Sequence, residues 1–230
     1  SVSINDVLIN GEYVVKDKQT LPFVNKTLPK ELLDSVYDSV KIKPLTLDML
    51  HVEPKGDKVR VIEVVPSELI TNEIICDLDF SKNNGIDIEK DILKIAVLER
   101  HKFTGHIGIG YIKGIGLKEG AIASTVSHDS HNIIVIGTND EDMLKAINEI
   151  AAIGGGNVVT KNNEVIARLA LPIAGLMSDK PINEVIKDEK NVREVVYQMG
   201  INKNIAPFMN MAFVSLTVFP HLKITTKGYV

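Results

Sequence analysis

The chain has 230 residues, with 26 Lys and Arg against 30 Asp and Glu, a net charge of −4, 44% hydrophobic residues, 5% aromatics and no tryptophan. This length holds one or two domains with a sizeable core, and the mild acidity, the absence of long basic runs and the scarcity of aromatics leave no surface suited to nucleic acid. A single cysteine, Cys76, excludes an internal disulfide and a multi-cysteine zinc site, and no stretch reaches the length of a bilayer span or opens like a signal peptide, so no membrane association and a cytoplasmic location are expected.

In chain order, Val2, Ile4, Val7, Ile9, Tyr13 and Val15 alternate around Asn10-Gly11, a strong short-range hairpin signal. A lone hairpin needs a sheet to rest on, so residues 1–24 read as the tail of a β-domain whose other strands lie upstream. Residues 25–54 carry Pro29, Pro44 and Pro54 around one short helical stretch, Lys30 to Val40, and read as a linker. From residue 55 onward the pattern is that of a separate domain. Val59 to Val65 alternates as a strand. Cys76 is expected to act as a small buried hydrophobe. Asp91 to Glu99 suits either element, with its β-branched run favouring a buried strand. Ile107, Ile109 and Tyr111 alternate with glycines, and Ala121–Ser127 and Ile133–Gly137 are strand-like.

Thr138 and Glu141 form a capping-box pattern, followed by Met143, Leu144, Ile147, Ile150 and Ala151 on one helical face. Gly154-Gly155-Gly156 stops that helix. Asn157–Thr160 and Val165–Leu171 flank Asn162-Asn163 as a hairpin. A second helix spans Pro181 to Met199, with Ile182, Val185, Ile186, Val192, Val195, Val196 and Met199 as its apolar face. Met209 to Val218 is apolar and is a candidate interface between copies. Strands and helices mix without steady alternation, so the fold class is α+β, with mixed sheets and packed helices.

Three motifs carry chemical interest. His51-Val52-Glu53-Pro54 has the His-x-Glu of zinc deaminases, but the two cysteine ligands that chemistry needs are absent, so it reads as a loop. The glycines from Gly105 to Gly116 miss the dinucleotide and phosphate-loop spacings and read as a strand that another layer approaches closely. The run His128-Asp129-Ser130-His131-Asn132 joins two apolar strands, where loops tend to carry function. A serine triad does not fit an extended run. Asp129 and His131 share a face and are metal-ligand types, with Glu99 or His101 as a third ligand. A hydrogen-bonded turn and a polar loop that completes a site built by another domain are the other two readings. Glu99-Arg100-His101, at a strand end, is either part of a site or a solvated charged edge.

From about Asp91 the chain resembles the carboxy-terminal domain of bacterial and archaeal adenine deaminases of the amidohydrolase superfamily. The resemblance rests on Glu99-Arg100-His101, Thr104-Gly105, Lys113-Gly114, Gly120 to Ser124, Ser127 to Asn132, Val135 to Asn139, Gly154 to Gly156 and Leu171 to Ser178. It implies hydrolysis of adenine to hypoxanthine and ammonia, by a metal-bound hydroxide held in a (β/α)₈ barrel. This chain has no His-x-His pair and is too short to hold that barrel as well. The resemblance therefore implies a fragment, inactive alone, with the divalent metal (manganese or iron) bound outside it. It implies the closing strands of the amidohydrolase β-sandwich at residues 1–24, a linker at 25–54 and the carboxy-terminal domain at 55–230. His128, Asp129 and His131 become candidates for orienting substrate or the metal shell, and Ser130, Asn132, Arg100 and His101 candidates for binding it. Glu99, Asp129 and His131 are the weak metal candidates. The expected partners are adenine, the amino-terminal barrel and further copies of the chain. A non-catalytic lid or dimerisation module, and an independent metal hydrolase using Asp129 and His131, are the competing readings.

Overall fold

The computed structural model describes residues 2–22, 28–56 and 58–230. It divides into two compact units, Ser1–Asp34 and Ser35–Val230. The expected boundary near residues 24 and 25 lies outside the described residues.

The first unit contains β1 (Val7–Ile9), β2 (Glu12–Lys16) and β3 (Gln19–Thr20) in one antiparallel sheet. Asn10 and Gly11 turn β1 into β2 with φ of 52° and 84°, the left-handed pair that a two-residue hairpin turn requires. Val2 and Ile4 fall outside the strands. Helix α1 (Lys30–Tyr37) ends three residues short of the expected Val40.

The second unit is built on β4 (Lys58–Val64), β5 (Thr71–Asp77), β6 (Ile92–Leu98), β7 (Ile107–Lys113), β8 (Ala121–Ser124), β9 (Ile133–Gly137), β10 (Gly156–Lys161) and β11 (Glu164–Ala170). They form one sheet in the order β11-β10-β8-β9-β6-β7-β4-β5. Every pair is antiparallel except β4 with β7. Its helices are α2 (Asp140–Ala152), α3 (Ile182–Gln198) and α4 (Pro207–Val214), and a final hairpin joins β12 (Ile224–Thr225) to β13 (Gly228–Tyr229). The fold is therefore α+β around a mixed sheet.

Both faces of the sheet are covered, which explains its sequence. On β6, Leu93, Ile95 and Val97 join one core cluster while Ala96 and Leu98 join the other. On β9, Ile134 and Ile136 split from Ile133 and Val135 in the same way. A strand buried on both sides has no polar positions to alternate with, so residues 91–99 fit helix or strand equally until the sheet is seen. Helix α2 covers one face with Met143, Ala146, Ile147 and Ile150. Helices α3 and α4 and the final hairpin contribute Val192, Val196, Met211 and Ile224 to the other.

Several expectations shift. The cap of α2 is Asn139, whose side chain accepts from Asp142 N at 2.7 Å. Thr138 instead donates its hydroxyl to Gly120 O at 3.0 Å. The apolar face of α3 is covered unevenly: Val185, Val192, Val195 and Val196 pack on the core, while Ile182 and Ile186 remain 68% and 55% exposed. The Met209–Val218 run contains most of α4, with Pro207 at its first turn. Cys76 is half-buried on the edge strand β5. The glycine-strand reading holds. A Cβ at Gly108 would sit 1.9 Å from Thr225 O, and one at Gly110 would sit 2.5 Å from the Tyr229 ring.

Candidate functional site

The strands β8 and β9 end together, and residues 125–132 bridge them. Buried Ser127 meets buried Ser215 hydroxyl to hydroxyl at 2.5 Å, and His128 N donates to Ala212 O at 3.2 Å. These contacts seat the loop on the C-terminal end of α4 and the residues beyond it. The His128 ring stacks on Phe213 with centroids 5.2 Å apart and lies 5.8 Å from the His131 ring. His131 has φ of 49° and donates its backbone N–H to Ser127 O at 2.6 Å. The cluster is thus a tight turn.

Arg100 fixes the other side of this turn. It is 1% exposed, and its guanidinium donates to His131 O, to Ser39 O at 3.2 Å and to Ala174 O at 3.1 Å. Burial lowers its pKa, yet a guanidinium stays charged in proteins. With its donors spent on carbonyls inside the structure, Arg100 has no open side for a substrate. His101 bonds Ser130 O through Nε2 at 2.7 Å.

Glu99 serves its own turn. Oε1 accepts from His101 N and Lys102 N at 2.5 and 2.8 Å, and Oε2 from Thr104 N and its hydroxyl at 3.1 and 2.9 Å. Desolvation raises its pKa, but the donors from Thr104, His101 and Lys102 outweigh that and bring it down to about 2. Both oxygens are occupied, so Glu99 is not placed as the third ligand to Asp129 and His131. Among the described residues no group of three or more His, Cys, Asp or Glu side chains is arranged to hold a metal. The residues present do not fit a metal centre of their own.

The chemistry left to the loop is at its tip. The Asp129 side chain is 83% exposed and its Oδ1 lies 3.7 Å from His128 Nδ1. Burial first, then the neighbouring His128 and Arg100, lower the pKa of His131, while Asp129 opposes them. Asp129, Ser130 and Asn132 form one wall of a cleft of about 480 Å³, closed on other sides by residues 215–218 and by Thr225, Thr226 and Lys227 of the final hairpin. A larger hollow of about 580 Å³ lies beside Tyr111 and Tyr229. It contains none of the expected site residues, and its Arg60 is already paired with Glu73 at 2.7 and 3.1 Å.

The structure thus gathers Arg100, His101, His128, Ser130 and His131 at one sheet end and leaves Glu99 in a neighbouring turn. Phe213, Ser215, Thr225 and Lys227 were missed by sequence reasoning. They arrive from segments more than 80 residues away, and no local pattern marks them.

Residues 68–230 match the family described as the adenine deaminase C-terminal domain. The chain belongs to this family. A protein named adenine deaminase from Thermosipho melanesiensis is 44% identical over 225 residues, covering 95% of this chain and 38% of that protein. Namesakes from Clostridium acetobutylicum and Dehalococcoides mccartyi are 41% and 40% identical, over 99% and 100% of this chain but 40% and 39% of their own lengths. The chain therefore spans about two fifths of the length of these adenine deaminase relatives.

Proposed function

We propose that the chain is the C-terminal part of an adenine deaminase that hydrolyses adenine to hypoxanthine and ammonia, and that it does not turn over adenine by itself. The family match over residues 68–230, with about 40% identity across the whole chain, carries this reading. In it the hairpin near the start of the chain closes the β-sandwich that accompanies an amidohydrolase barrel, and the unit Ser35–Val230 carries the terminal domain. In this reading a divalent metal, manganese or iron, is held by residues outside this chain.

The chain's own contribution is positioning. The turn at residues 128–132 is held from below by Arg100 and Ser127, and its exposed tip offers a carboxylate beside an imidazole. A rigidly held polar tip of this kind can orient a bound base and hold a proton at Asp129 Oδ1 or His128 Nδ1.

Joining the chain to the amino-terminal portion of the Thermosipho relative and measuring hypoxanthine formation tests this. Turnover is expected, and Asp129→Ala or His128→Ala should lower kcat about a hundredfold with a much smaller change in KM. Unchanged kinetics in H128A, D129A and H131A would reduce the turn to a folding element. The second reading, an assembly module, draws on Met209 and Val218, which stay 61% and 77% exposed. Sedimentation of the joined protein separates the two, because an assembly role requires a dimer that Met209→Asp and Val218→Asp dissociate.

A further inference from the structure

Strand β5 ends the eight-stranded sheet, and among the described residues no strand lies along its outer side. The neighbouring strand β4 shows which groups point there. The Tyr229 hydroxyl donates to Arg60 O at 2.7 Å and accepts from Tyr111 N, so Arg60 turns its peptide groups toward β7. A Cβ on Gly114, just past β7, would sit 2.8 Å from Val64 O, so Val64 turns the same way. Ile75 lies opposite Arg60, and Glu73 lies opposite Ile62 between them. These are the non-hydrogen-bonded pairs of the β4–β5 ladder, so Glu73 and Ile75 point their N–H and C=O groups outward, away from β4.

An open edge of this kind is a template for another strand, and proteins blunt such edges with lysine, proline, bulges or short strands. Strand β5 has none of these devices. It is seven residues long, contains no Lys or Pro, and keeps a regular register with β4 throughout. At the opposite edge of the sheet, by contrast, β11 meets β10 through a register shift at Val159 and Thr160. Along β5, Asn72, Glu73, Ile75 and Asp77 are exposed, Ile75 by 59%, and Ile74 and Cys76 are half-buried. The charge at its middle is already matched, because Glu73 accepts from Nε and Nη2 of Arg60 and leaves Nη1 to another partner.

We propose that this edge pairs antiparallel with the same edge of a second copy of the chain, about a two-fold axis at Ile74. Pairings centred on Glu73, Ile74 or Ile75 all bring the exposed stretches together, and charge chooses among them. An axis at Glu73 sets that carboxylate against itself, and an axis at Ile75 sets Glu73 against Asp77. The axis at Ile74 sets Glu73 against Ile75 on both sides and exchanges about four backbone hydrogen bonds. It brings the two Ile74 side chains together and so continues the core cluster on which Ile74 packs. On the other face, Arg60, Ile75 and the second copy's Glu73 fall in one row across the strands, which gives the unused Nη1 a carboxylate to meet. Two eight-stranded sheets become one. This surface is independent of the adenine deaminase reading and uses a different element from Met209 and Val218.

The lone cysteine makes a direct test. Pairing about Ile74 sets Asn72 opposite the second copy's Cys76, in a non-hydrogen-bonded pair whose Cα atoms lie about 4.5 Å apart, within the reach of a disulfide. Within one chain the same two positions are separated by about 13 Å of strand and cannot bridge. Mild oxidation of the 230-residue chain carrying Asn72→Cys should therefore give a covalent dimer on a non-reducing gel, while Asn72→Cys combined with Cys76→Ser stays monomeric. Ile75→Pro removes an outward N–H that β4 does not use, a change that edge strands tolerate. It should weaken self-association in sedimentation about tenfold or more, and Met209→Asp should leave it unchanged. A chain with Asn72→Cys that stays monomeric on oxidation, equal cross-linking without Cys76, or association that survives Ile75→Pro and is lost in Met209→Asp would each overturn the proposal. Should the proline variant fail to fold, the cysteine pair decides alone.

Discussion

Arg100 ties three distant carbonyls together from a position almost closed to solvent. Its replacement by alanine leaves those carbonyls buried without donors, so unfolding in denaturant should lose about 3 kcal/mol or more. Arg100→Lys keeps the charge but not the planar fork and should fall between the two. Neighbouring Glu99 sets a pH dependence of known sign. Its folded pKa of about 2 lies below the usual 4.5, so its stabilisation is fully present above about pH 5 and fades as pH falls toward 2. Comparing unfolding of the native chain and Glu99→Gln across that window checks this, since the glutamine variant should lack that part of the acid sensitivity. The sequence already showed that these ionisable residues cluster. It did not show that Arg100 and Glu99 are spent on backbone, because a buried anchor and a catalytic residue have the same letter until their partners are known.

At the scale of elements, legibility followed how a segment meets its neighbours. The Asn162-Asn163 hairpin and helix α2 carry their signals locally, in turn residues and a one-sided apolar stripe, and both formed within a residue or two of expectation. Strand β5 and helix α4 did not declare themselves. The first mixes exposed acids with apolar residues at a sheet edge, and the second is apolar on nearly all sides. Strand β7 shows both limits at once. Its glycines announced a close approach, but only the structure names Thr225 and Tyr229 as what approaches. Gly110→Ala drives a methyl into the Tyr229 ring, so the hairpin β12–β13 must lift. Stability should drop by about 1–3 kcal/mol, and amide hydrogens of residues 222–230 should exchange faster. Unchanged exchange there would mean the hairpin does not rest on β7.

For the molecule as a whole, the α+β class could be read from mixed periodicities, while the single eight-stranded sheet could not. Its order depends on pairings between segments as distant as β4 and β7, which no local window contains. The candidate site was legible in half. The 128–132 turn stood out by composition, whereas the opposite walls of its cleft come from the last residues of the chain. Family membership supplies the remaining link, and it assigns the reaction to proteins more than twice as long as this chain. The most direct measurement is adenine deamination by the purified 230-residue chain supplied with manganese or ferrous iron, set beside the same chain joined to a relative's amino-terminal portion. Hypoxanthine and ammonia should form only in the joined protein. Their formation by the 230-residue chain unaided would contradict the placement of the catalytic centre outside it.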